Sequence, residues 1–336
     1  MKAVVLNGPG EIGMKEIPAP EPGEGWPLIR IKAAGICGSD VNSYQGKGQK
    51  LVYPLVLGHE AAGEVVSAPG TSKFKPGDDV IIEPYLYCGL CYPCSLGRRN
   101  CCEQLKCLGV HTDGTMSEFI THPDDLLHLK PEGMSWEEAA FAEPLTIATH
   151  GVHRLRPKSG EYGAIVGAGT IGILTALYLK TLGVVPIMID VLESRLETAR
   201  SLGVEHIVLS DGTPPVDEVK RITNGRGAEM VFEISGSVSG VSGTLHLASY
   251  CGRVSLTGWP SGAATLETSL VTRKEIEVFG SRNSAGEFPG AIDLIYKNKI
   301  PADRIITNTI GFDDLPDAIR KIAEDPTETL KCIALA

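Results

Sequence analysis

"GAIVGAGTIGILTALYLKTLG", residues 163–183, decides how the whole chain is read. A short apolar run leads into Gly167, Gly169 and Gly172, spaced G-x-G-x-x-G, and an apolar helical pattern continues to Gly183, a natural C-cap. Glycines at this spacing occur in many tight turns. Here they follow a strand pattern and open a helix, and the next strand, "VVPIMID", ends on the acid Asp190. Together these features specify a dinucleotide-binding βαβ unit. Gly167 permits the tight turn, Gly169 lets the backbone approach a pyrophosphate, and Gly172 lets the helix pack close to the sheet. Thr170 and Ile171 begin the helix, whose free N–H groups and dipole face the phosphates. Asp190 is placed to accept hydrogen bonds from the adenosine ribose, and its charge repels a 2′-phosphate, so NAD is expected in preference to NADP. The competing reading is a tight turn without a ligand. Arg195 belongs either near the adenosine end or among solvated helix residues.

The same rhythm runs outward on the C-terminal side. "LESRLETARSLG" reads as a helix ending at Gly203, "HIVLS" as a strand, "VDEVKRITNG" as a helix, and "AEMVFEIS", "RVSLTG" and "EIEVFGS" as strands. Alternation at these lengths predicts an α/β fold, a doubly wound parallel sheet of the Rossmann kind, over residues 146–282. Two helical segments, "EFPGAIDLIYKN" and "DDLPDAIRKIAED", and a closing strand "KCIALA" are expected to return to the first domain. The N-terminal side is different. "KAVVLNG", "PLIRIKAAGICG", "EAAGEVVSA" and "GDDVIIEP" are short strands between Gly/Pro turns, as in a β-rich, partly open barrel. Residues 1–145 and 283–336 are therefore expected to form a second, β-rich domain. No internal repeat is visible.

The chain has 336 residues, enough for two domains with sizeable cores, and a formal net charge of −10. That charge, without a basic face, argues against nucleic acid as a partner. The N-terminus lacks the apolar core and small-residue cleavage site of a signal peptide, and the apolar stretch 164–179 is too short and glycine-interrupted to span a bilayer. A cytoplasmic location with no membrane partner is the expectation. The nine cysteines then read as metal ligands or free thiols rather than disulfides.

Five of those cysteines fall within "CGLCYPCSLGRRNCC", residues 88–102. Cys88, Cys91 and Cys94 are spaced C-x2-C-x2-C, and either Cys101 or Cys102 follows as a fourth thiol. Four thiolates around Zn²⁺ make a closed, structural site, which one short loop can wrap. Cys107, Cys251 and Cys332 read as ordinary buried thiols.

"GICGSD" (35–40), "GHEAAGEV" (58–65), the cysteine lobe, "AEPLTIATHG" (142–151) and "VGAGTIG" (166–172) stand in an order that resembles the zinc-dependent medium-chain dehydrogenase/reductase family. The resemblance covers essentially the whole chain. It implies a GroES-like catalytic domain beside the Rossmann domain, and Cys102 as the fourth structural ligand. It also implies a second, catalytic zinc in the cleft between the domains, held by Cys37 and His59, with Glu143 where alcohol dehydrogenases carry a further cysteine. Glu60 lies close to the metal in the family and ligates it directly or through water. Cys, His and carboxylate form an open zinc set, which leaves room for a substrate oxygen. Ser39 matches the family's relay hydroxyl. Two positions depart from the family pattern: Asn42 replaces a relay histidine and cannot titrate, so the proton leaves by water or by Glu60, and Pro69 replaces a glycine. The family is usually dimeric or tetrameric, which implies a homodimer or homotetramer through "GRVSLTG" to "EIEVFGS".

For the substrate, sparse aromatics (6%) favour a polar molecule. The segments 97–119 and 278–295 resemble the bacterial sugar-acid branch, similar to L-gulonate and L-galactonate 5-dehydrogenases, while Glu143 resembles the sorbitol and threonine dehydrogenase branch. Arg282 falls where polyol dehydrogenases place a substrate-contacting arginine. It can hold a carboxylate, hydrogen-bond a polyol hydroxyl, or pair with Glu287. Tyr44 and His111 are candidate pocket residues, with a surface-loop histidine the equal alternative for His111. The expected activity is NAD-linked oxidation of a secondary hydroxyl on a sugar acid. The alternatives are a sorbitol- or threonine-type dehydrogenase and a non-catalytic NAD-binding protein.

Overall fold

The computed structural model describes residues 1–47, 51–70, 72–260 and 262–336. The chain divides into two compact units, one of Met1–Glu143 with Ala285–Ala336, the other of Pro144–Ser284.

The first unit is organised by the strand Leu28–Ile36, "LIRIKAAGI". Its first half alternates; its second half is wholly buried, because small residues there let neighbours close in on both faces. It pairs antiparallel with Glu60–Ser67, with Cys332–Leu335 and with Phe119–Thr121. Gly35 stands opposite Glu60, and Ile36 stands opposite Cys332. The end of one strand, the start of a second and the start of the chain's last strand therefore meet at one place. Behind it, Ile29, Ile31, Leu57, Val65, Ile82, Leu315 and Ile319 join one apolar core cluster. Each such aliphatic side chain contributes about 1.5–3 kcal/mol by leaving water. A short ladder, Tyr85–Leu86 with Lys106–Cys107, flanks the cysteine lobe.

The second unit holds a six-stranded parallel sheet in the spatial order His206–Leu209, Val185–Asp190, Tyr162–Val166, Ala228–Glu233, Ala248–Leu256, Glu277–Gly280. In chain order of this unit's strands that is 3-2-1-4-5-6, the doubly wound arrangement, and its direction reverses beside Tyr162–Val166. The inner strands are buried on both faces, hence their unbroken apolar runs.

One element had no reading from the sequence, and one residue differs from its expected place. Val238–Leu247 is a helix although its Ser/Gly-rich sequence has poor helix propensity. Ser237 caps it by accepting the Gly240 N–H, and burial of Val241 and Leu245 supplies the rest. Cys251 is not a buried thiol. It is exposed at φ 56, where the strand Ala248–Leu256 slips register and turns Tyr250 and Cys251 outward.

Candidate active site

In the second unit, Gly167 (φ 107) makes the turn at the end of Tyr162–Val166. A Cβ there would stand 2.8 Å from the Ser235 backbone nitrogen, and one on Gly172 would stand 1.8 Å from the Gly167 carbonyl oxygen. Both glycines are required by the protein's own packing. Gly169 is not, because among the described residues a Cβ there meets no atom within 4 Å beyond its chain neighbours. Its freedom from the fold is what a loop built to receive an outside group needs. Gly169 is the N-cap of the helix Thr170–Thr181, whose first N–H groups lack intrahelical partners. Asp190, 8% exposed, accepts the Ala168 N–H at 2.6 Å and the Leu192 N–H at 2.9 Å. The acid therefore holds the glycine loop in place, and each of its oxygens keeps a lone pair for a ribose hydroxyl. Arg195 is half-buried on the helix Glu193–Ser201, and Arg282 is half-buried beside Asn283, which adopts φ 47.

In the first unit the strand ends bring together Cys37, His59 and Glu60, whose ligand atoms all lie within 4.8 Å of one another. Glu60 points past Gly35, where a Cβ would come within 2.1 Å of its Oε2, so only glycine leaves room for it. Asp40, buried, accepts the Cys37 N–H at 2.9 Å and the Gly58 N–H at 3.3 Å, which ties the two ligand-bearing loops together. Its Oδ1 lies 3.9 Å from His59 Nδ1, which finds no hydrogen-bond partner among the described residues although it is buried. Burial opposes a charge on His59, yet the Cys37 and Asp40 charges carry it well above its ordinary value. A thiol, a buried imidazole with an orphaned nitrogen and a buried carboxylate form a donor set that a divalent zinc ion fits.

Three residues around this set carried no sequence signal that singled them out. Lys331, 3% exposed, donates to Glu60 Oε2 and, at 3.0 Å, to the Ile36 carbonyl. Tyr85 donates its phenolic hydrogen to Glu143 Oε1. Cys107 is buried, and burial pushes its thiol up to about 12, so it stays neutral beside the donor set. Glu143 itself is 4% exposed and stands outside the Cys37–His59–Glu60 set. Burial lifts its carboxyl to about 7, against the pull of His59. Ser39 is exposed on the helix Gly38–Tyr44, and Tyr44 packs half-buried on the core. His111 is exposed, its Nδ1 accepting the Cys107 N–H at 3.0 Å.

Cys88, Cys91, Cys94 and Cys102 form a second set, with sulfur–sulfur distances of 3.5 Å (Cys91–Cys94), 3.8 Å (Cys91–Cys102) and 3.5 Å (Cys88–Cys102). Four thiolates at about 2.3 Å from one tetrahedral Zn²⁺ are separated by about 3.8 Å, so the set has zinc's dimensions. The Leu90 and Cys91 N–H groups pull the Cys88 thiol down to about 6. Cys101 lies outside the set, and all nine cysteines are free of disulfides. Among the described residues no helix is long and apolar enough to cross a membrane.

Residues 23–132 match the family model "Alcohol dehydrogenase GroES-like domain" and residues 170–297 the model "Zinc-binding dehydrogenase". An uncharacterized zinc-type alcohol dehydrogenase-like protein of Haemophilus influenzae is 46% identical over 100% of this chain and 98% of its own. A sorbitol dehydrogenase of Bacillus subtilis is 32% identical (98% of this chain, 96% of its own), and an L-galactonate-5-dehydrogenase of Escherichia coli 31% (98% of each). Among solved structures, an alcohol dehydrogenase (rspB) of Escherichia coli CFT073 complexed with NADH superposes with TM-score 0.94 at 31% identity, covering 100% of this chain and 99% of its own. Two zinc-shaped donor sets and a dinucleotide loop, in a chain matched along its whole length, have one common source: this chain belongs to the zinc-type medium-chain alcohol dehydrogenase family.

Proposed function

We propose that the chain uses NAD to oxidise a secondary hydroxyl of a sugar acid of the L-gulonate or L-galactonate kind. The observation that carries the reaction is the Cys37–His59–Glu60 set, three donors within 4.8 Å, with no fourth residue in the set among the described residues. Zinc held there supplies a Lewis acid that lowers the pKa of a substrate hydroxyl. NAD held at Gly167, Gly169 and Gly172 supplies the hydride acceptor. The chain's own residues do the rest. Cys37, His59 and Glu60 would hold the metal, Asp40 orients the loops that carry Cys37 and His59, and Glu143 is a buried carboxylate outside the set. Ser39, exposed at the start of its helix, takes the released proton outward. Cys88, Cys91, Cys94 and Cys102 brace their lobe around a second, structural zinc.

The carboxylate of the acid is assigned to the guanidinium fork of Arg282, with Tyr44 and His111 as further contacts; the similarity to an L-galactonate-5-dehydrogenase supports it. A neutral polyol is the second reading, favoured by the equal similarity to a sorbitol dehydrogenase. The same reading makes the protein a homo-oligomer through the edge strand Glu277–Gly280. NADH formation by the zinc-replete protein on L-gulonate and L-galactonate, compared with sorbitol, tests the substrate. Preference for the acids upholds the assignment, and preference for sorbitol replaces it. Cys37→Ala should remove turnover and leave NADH binding intact; turnover that survives would sink the catalytic-metal reading and favour a mere nucleotide-binding protein.

A further inference from the structure

Glu233 ends the strand Ala228–Glu233 and is wholly buried. Among the described residues no cation pairs with it, and burial raises its pKa, with only the Ser235 and Gly236 donors pulling the other way. A carboxylate buried without a cation costs stability, so packing alone does not ask for one here. Its bonds all go to one loop. Oε1 accepts the Ser235 O–H, and the Gly236 N–H donates to both oxygens, at 3.2 and 3.3 Å. The Ser235 oxygen in turn meets the Ser237 hydroxyl at 2.9 Å, and Ser237 caps the helix Val238–Leu247. A Cβ on Gly258 would stand 2.5 Å from Glu233 Oε2, so the loop after the next strand encloses the acid from its other side. The loop held in this way faces the glycine turn. Ser235 is exposed, its N–H donates to the Val166 carbonyl at 2.9 Å, and its backbone lies against Gly167. The strand order reverses between Tyr162–Val166 and Ala228–Glu233, and the crevice outside the carboxyl ends at such a point takes the dinucleotide. The glycine turn is one wall of that crevice, and residues 235–237 are the other.

We propose that Glu233 is a positioning residue for the cofactor, its carboxylate pinning Ser235 and Gly236 as the wall that faces the glycine turn. Being wholly buried, it acts through that loop and not by touching the cofactor. The role rests on the dinucleotide reading of the Gly167 loop and adds to it. It depends neither on the metal nor on which alcohol is oxidised.

The test measures NADH binding to the full-length folded protein by fluorescence titration, with no substrate present. Glu233→Gln keeps the side chain's shape and removes its charge. NADH should bind about tenfold more weakly, because charge-assisted bonds to the loop become neutral ones. Ser235→Ala, at an exposed position, should weaken NADH as well. Adding it to Glu233→Gln should weaken binding no further, because both substitutions act on one bond. An unchanged affinity in Glu233→Gln overturns the role, since a residue that only supports the fold leaves the affinity of the folded protein where it was. Losses that add in full also overturn it, because Glu233 would then act by another route. If wild type itself binds no NADH, the dinucleotide reading fails and the role falls with it. Should Glu233→Gln not fold, Glu233→Asp decides: its carboxylate is one carbon short of the loop, so weakened NADH binding upholds the role and wild-type affinity overturns it.

Discussion

Lys331 and Glu60 form an ion pair in which both partners are almost wholly buried, at 3% and 1% exposure. Burial alone would lower the lysine's pKa, but Glu60 raises it, so the ammonium stays charged. Breaking a buried pair from one side leaves an uncompensated charge and costs about 3–5 kcal/mol. Lys331→Met should therefore destabilise the metal-free protein by that order. Zinc at the Cys37 site brings a new positive charge to Glu60, and the loss should shrink in the metal-loaded protein. Urea midpoints with and without zinc measure the difference, and equal losses in both states would refute this account. Residues of this kind escape sequence reading for a physical reason. Cys37, His59 and Glu60 are legible because they lie in short motifs. Lys331 meets Glu60 across 271 positions, and Tyr85 meets Glu143 across 58, so nothing local announces either pair. Asp40 is the intermediate case. Its place three residues after Cys37, accepting the Cys37 N–H, is a helix-capping signal already present in "GICGSD".

At the level of the element, the loop between Tyr162–Val166 and Thr170–Thr181 separates the demands of folding from those of binding. Gly172 carries the helix against the strand so closely that an added methyl would overlap the Gly167 carbonyl. Gly172→Ala must push the helix away, and overpacking of this kind costs about 1–3 kcal/mol or more. Gly169 has open space where its Cβ would be. Gly169→Ala should leave the unfolding temperature within about 2 °C of wild type, yet weaken NADH binding about tenfold by crowding the phosphates. NADH fluorescence titration and thermal unfolding on the two variants read both quantities. Loss of stability at Gly169 would remove the distinction. The loop and its flanking strands were legible because periodicity, glycine spacing and a terminal acid coincide there. The helix Val238–Leu247 was not, because its serines and glycines mask an apolar stripe that only tertiary burial reveals.

For the molecule as a whole, the formal charge of −10 and the isoelectric point near 5.4 mean that mild acid relieves self-repulsion rather than increasing it. A loss of stability between neutrality and the isoelectric point must then come from particular groups. His122 is one. It is fully buried, its Nε2 lies 2.7 Å from the Glu83 carbonyl as donor, and its Nδ1 has no partner among the described residues. Burial lowers its pKa from 6.5 to about 4, with the Glu83 contact and the Asp125 charge opposing only in part. Between those values the unfolded chain binds a proton that the folded one refuses, so stability falls as pH falls. At about 1.4 kcal/mol per unit, the window from 6.5 to 4 removes roughly 3 kcal/mol. His122→Gln keeps an N–H for the Glu83 carbonyl and cannot titrate. Its urea midpoint should therefore drop less than that of wild type between about pH 7 and about pH 4.5, while both proteins lose metal alike. Parallel declines in the two proteins would clear His122 of the effect and place the acid-sensitive group elsewhere in the fold.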